Sequence, residues 1–152
     1  MSPHARFVPP HAYVPGRTAR HPEGLFDDIR QTVPGGGDID KLATCEAFLT
    51  GLAYLEMGFF WEAHELLEPV WMGLADESAE RLFVQSLIQL ANGKLKLEMG
   101  KPKAALRLAR IATDLLQTAG SADLMGVSAD WVQSQIGNVT ESALKMRGPA
   151  SD

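Results

Sequence analysis

Proline divides this chain before anything else does. Six of its nine prolines (Pro3, Pro9, Pro10, Pro15, Pro22 and Pro34) precede residue 35, and Gly35-Gly36-Gly37 follows at once. Each proline fixes φ and removes a backbone donor, so no long helix or central strand can run through this stretch. It still carries Phe7, Val8, Tyr13, Val14, Leu25, Phe26 and Ile29. Disordered tails are poor in such residues. Residues 1–37 are therefore expected as an extended arm lying on the body, with one short helix within 22–33.

From residue 38 the pattern changes to a helical period. Asp38 can cap a helix in which Leu42, Cys45, Phe48 or Leu49, Leu52 and Leu55 recur every three to four residues, and Gly58 ends it. Further helices are expected over 59–74, 78–99, 102–119 and 128–145. Pro102 opens the fourth, at the one helical position where its missing N–H costs nothing. No two-residue alternation persists anywhere. The expected fold is all-α: a compact bundle of about five main helices over 38–147, with 148–152 as a disordered tail. No apolar run reaches the ~18 residues a membrane span needs, and no secretion signal is visible, so no membrane role and a cytoplasmic location are expected. The one cysteine, Cys45, excludes an internal disulfide and reads as a core thiol.

Chemistry concentrates in Gly58-Phe59-Phe60-Trp61-Glu62-Ala63-His64-Glu65-Leu66-Leu67-Glu68-Pro69-Val70-Trp71. Charged groups among bulky apolar ones must be paired if they are buried. Spacings of three and four put Trp61, His64, Glu68 and Trp71 on one helix face, with Glu62 and Glu65 beside it. Pro69 removes the hydrogen bond to the Glu65 carbonyl and is expected to bend the helix. On the next helix Gln85, Gln89, Asn92 and Lys96 form a polar stripe. If the two polar faces meet, Gln85 and Gln89 can hydrogen-bond His64, Glu65 or Glu68.

The expected cluster is thus Glu62, His64, Glu65, Glu68, Trp71, Gln85 and Gln89, between the helices over 59–74 and 78–99. It serves either as a buried polar lock or as the site of a non-enzymatic ligand- or partner-binding protein. The alternative is a metal-dependent or acid–base hydrolase-like enzyme using His64, Glu65 and Glu68. His64-Glu65-Leu66-Leu67-Glu68 has Glu where the zinc-protease spacing has its second His, so no metal is assigned. The other histidines, His4, His11 and His21, all lie in the arm. No catalytic residue and no cofactor are assigned. The expected partners are a small molecule and a second copy of the chain. A third reading is RNA binding through the basic hairpin 94–110 (Lys94, Lys96, Lys101, Lys103, Arg107 and Arg110). A net charge of -5 and the lack of interleaved aromatics weigh against nucleic acid.

Three strings together carry a family resemblance: the one just quoted, then Arg81-Leu82-Phe83-Val84-Gln85-Ser86-Leu87-Ile88-Gln89-Leu90-Ala91, then Gly100-Lys101-Pro102-Lys103-Ala104-Ala105. They resemble domain of unknown function 309, a family of small all-helical bacterial and archaeal proteins. The likeness runs over roughly 45–116, with Trp61 where the family's Phe-Glu-Ala-His-Glu string begins with Phe. It implies a compact helical bundle and singles out His64, Glu65, Glu68, Trp71, Gln85 and Gln89. It implies no activity.

Overall fold

The computed structural model describes residues 7–147. His4 and the expected tail 148–152 lie outside the described residues. Within them the chain forms seven helices: α1 (Asp27–Arg30), α2 (Ile39–Thr44), α3 (Glu46–Met57), α4 (Phe60–Gly73), α5 (Ala79–Glu98), α6 (Pro102–Thr118) and α7 (Ala129–Arg147). No strand occurs among the described residues, only an isolated bridge between Leu124 and Val127. The fold is all-α, and no helix is long and apolar enough to cross a membrane.

Consecutive helices pack on one another from α3 to α7, and α5 sits at the centre against α4, α6 and α7. Phe83, Val84, Leu87 and Ala91 of α5 are fully buried, as are Ala105 and Ala112 of α6. Small residues let the helices approach closely. At Gly51 of α3, a β-carbon would lie 3.0 Å from Leu67 of α4. Gly58 joins these two helices at φ 91°, a left-handed conformation that side chains other than glycine adopt at a cost.

The expected first helix is broken in two. Cys45 is extended (φ -69°, ψ 154°) and separates α2 from α3. The local polar groups favour the break. Asp38 caps α2 by accepting from the Lys41 N–H, and the Thr44 hydroxyl donates back to the Asp40 carbonyl. The new helix start is then capped from the arm: the Thr32 hydroxyl accepts the Ala47 N–H at 3.0 Å and donates to the Ile29 carbonyl. Cys45 is half-buried, and burial pushes its thiol pKa up, away from the reactive thiolate.

Candidate functional site

Glu62 stands in the first turn of α4 and is completely buried. The position suits a carboxylate electrostatically, because the helix N-terminus is its positive end. Burial demands hydrogen-bond donors as well. Both come from the arm. The Tyr13 N–H donates to Oε2 at 2.7 Å, and His21 Nε2 lies 2.5 Å from the same oxygen. The His21 side chain is 2% exposed. Its ring is enclosed by His11, Phe26 and Trp61, at centroid distances of 4.8, 5.4 and 6.0 Å. Glu62 Oε1 and His21 Nδ1 are buried without a hydrogen-bond partner.

The arm's own local structure brings both donors to one oxygen. The chain turns at 14–18, where the Val14 carbonyl accepts from the N–H groups of Arg17 and Thr18. The Thr18 hydroxyl donates to the Ala12 carbonyl and accepts the Val14 N–H, both at 2.7 Å. His11 Nε2 reaches the Ala19 carbonyl at 2.6 Å. The returning strand of this loop therefore lies beside the outgoing one, which sets His21 next to Tyr13.

One turn along α4, Pro69 has no N–H to give to the Glu65 carbonyl, yet the helix runs through it to Gly73. Arg30 of α1 takes that carbonyl instead: its Nη1 donates to Glu65 O at 2.6 Å and also reaches Glu65 Oε2 at 3.2 Å. His64 lies between two carboxylates, with Nε2 3.3 Å from Glu68 and Nδ1 3.7 Å from Glu65. The His64 and Glu68 side chains are 24% and 44% exposed. Water screens a pair of that exposure.

The seven expected cluster residues thus separate. Glu62, His64, Glu65 and Glu68 share α4 and face the arm or solvent. Trp71 belongs to another contact: the Arg81 guanidinium stacks 4.2 Å from its ring centroid, and Arg81 also donates to the Leu74 carbonyl and the Asp76 carboxylate. Gln85 and Gln89 are half-buried on α5. Among the described residues they form no side-chain hydrogen bond to His64, Glu65 or Glu68. Tyr13, His21 and Arg30 are the residues that sequence reasoning missed. A carboxylate at a buried helical position and an arm carrying spare histidines were the available signals.

A cavity of about 690 Å³ opens where the arm crosses α4. Its wall includes Tyr13, His21 and Phe26 from the arm, Arg30 from α1, and Trp61 and Glu65 from α4. No group of three or more His, Cys, Asp or Glu side chains among the described residues is arranged to hold a metal ion. The basic hairpin lies apart from this wall. Lys101, Lys103, Arg107 and Arg110 are exposed. Lys94 is half-buried 5.7 Å from the Phe60 ring centroid, and burial lowers its pKa.

Glu98 of α5 also feels the site. Burial raises its carboxyl pKa, the charge of Glu62 raises it further, and Arg17 of the arm opposes both. Negative charge is thus crowded at the inner end of the arm contact.

No curated protein and no solved structure matches the chain. A family model matches residues 48–108, a span that contains Glu62, His64, Glu65 and Glu68 and leaves out Tyr13, His21 and Arg30. Over that span the chain is similar to the family described as domain of unknown function (DUF309).

Proposed function

We infer that this protein is a non-catalytic binding protein for a small molecule, held between the N-terminal arm and α4. The cavity of about 690 Å³ supports this reading, being of a size typical of ligand sites and having Tyr13, Phe26 and Trp61 in its wall. The site differs in place from the one read in the sequence. Its polar partner surface is the arm, and not the glutamine stripe of α5. Ligand bound only by the folded protein raises its stability by mass action. A panel of amines, zwitterions and carboxylic acids should therefore contain a class that raises Tm by several degrees. The same class should move the Trp61 indole NMR signal, identified by its loss in Trp61→Phe. A panel that moves neither would overturn the reading.

An acid–base enzyme is the second reading, favoured by one observation. Glu62 holds His21 by Nε2, as a carboxylate orients an imidazole in proton transfer. On that reading His21 at the cavity wall replaces His64 as the working base. Turnover of any panel compound, abolished in His21→Gln with binding retained, would establish it over the first.

A further inference from the structure

Buried polar atoms without a partner lie beside the cavity, and carboxylates stand in its wall. Glu62 Oε1 and His21 Nδ1 are buried and unsatisfied. An ionised carboxylate only accepts hydrogen bonds, so His21 must donate through Nε2 to Glu62. In the neutral ring that leaves Nδ1 as an acceptor too. In the wall, Glu23 and Asp27 have no ion pair among the described residues. Glu23 and Asp27 are exposed at the cavity wall, and a carboxylate accepts hydrogen bonds.

The protein's own cations already occupy two seats in this wall. Arg30 lies against Glu65, 3.2 Å from Oε2. The Arg20 guanidinium carbon sits 6.0 Å from the Tyr13 ring centroid. Aromatic faces attract cations through their quadrupole, and a nearby carboxylate adds to that attraction. Phe26 and Trp61 supply two further rings to the same wall. Arg30 neutralises Glu65, which leaves two carboxylates against Arg20 alone.

We propose that the ligand of this cavity is an organic cation, an amine or guanidine. Its charged nitrogen sits at Glu23 and Asp27, and its apolar part lies along Trp61 and Tyr13, displacing Arg20 from the Tyr13 ring. The proposal rests on the binding reading above and narrows it to one class of ligand.

Calorimetric titration of the full chain tests it, with agmatine and spermidine as cationic probes and citrate and AMP as anionic ones. The amines should saturate a single site. Glu23→Gln with Asp27→Asn should weaken them at least tenfold while leaving Tm without ligand unchanged. Amine binding unaffected by that double substitution would overturn the proposal. Citrate or AMP bound in preference, with the Trp61 indole signal moving, would overturn it while sparing the binding site. Binding of no probe, with the Trp61 signal fixed throughout, would overturn both.

Discussion

The α5–α6–α7 half and the arm–α4 seam are held by different physics. In the first, the shared surface is apolar or small: Leu87, Ala91, Ala105, Ala112, Val132 and Ala143 are all fully buried. Such packing is non-directional: a fully buried Leu or Val side chain contributes about 1.5–3 kcal/mol, and an Ala methyl about 0.8 kcal/mol. In the second, a buried carboxylate meets a backbone N–H and an imidazole, and a helix carbonyl meets a guanidinium. Replacing such a polar contact by well-packed hydrophobic residues is often neutral or stabilising, so its presence is weak evidence for a purely structural purpose. The contrast is one support for the binding role proposed for the seam.

Removing one partner of the buried pair should break this contrast most strongly. His21→Ala strips Glu62 of one of its two donors and should cost about 3–5 kcal/mol in urea unfolding. Limited proteolysis should then cut the arm first. A loss under about 0.5 kcal/mol would mean the arm does not hold Glu62 in solution. A cap is worth less. Thr32→Val deletes the hydroxyl that receives the Ala47 N–H and should cost about 1 kcal/mol.

Glu98→Gln should give the smallest change, and of opposite sign. Its folded pKa is raised, so the charged form is disfavoured in the folded state at neutral pH. The substitution should therefore stabilise slightly at pH 7. The gain should fade as pH falls through the carboxyl range, where the wild-type group itself becomes protonated. A destabilised Glu98→Gln at pH 7 would show that the attraction of Arg17 outweighs burial and Glu62.

Much of the bundle was legible because its signals are local. Gly58, Gly100 and Pro102 punctuate α3 to α6 where the sequence places them, and the apolar period identifies the inner faces. The break at Cys45 was not legible. Neither glycine nor proline marks it, and the group that caps the new helix start is Thr32, fifteen residues upstream. The site was half legible for a related reason. Glu62, Glu65 and their neighbours stand out as charges among aromatics. Their partners come from the arm, and one is a backbone N–H, which no residue type reveals. The glutamine stripe misled because a polar helix face has the same pattern whether it meets water or another helix.

Pro69 carries one more consequence. Inside an α-helix every carbonyl is normally occupied by the N–H four residues on, so a docking element slid by one turn finds a surface chemically like the last. On α4 a single interior carbonyl is released, that of Glu65, and Arg30 finds it. The register of α1 along α4 is thereby unique: a shift in either direction leaves the guanidinium without that acceptor. Since α1 ends the segment that carries Tyr13 and His21, the same vacancy fixes where those two residues meet Glu62. A helix defect that weakens α4 as an isolated rod gives the arm a single address on it.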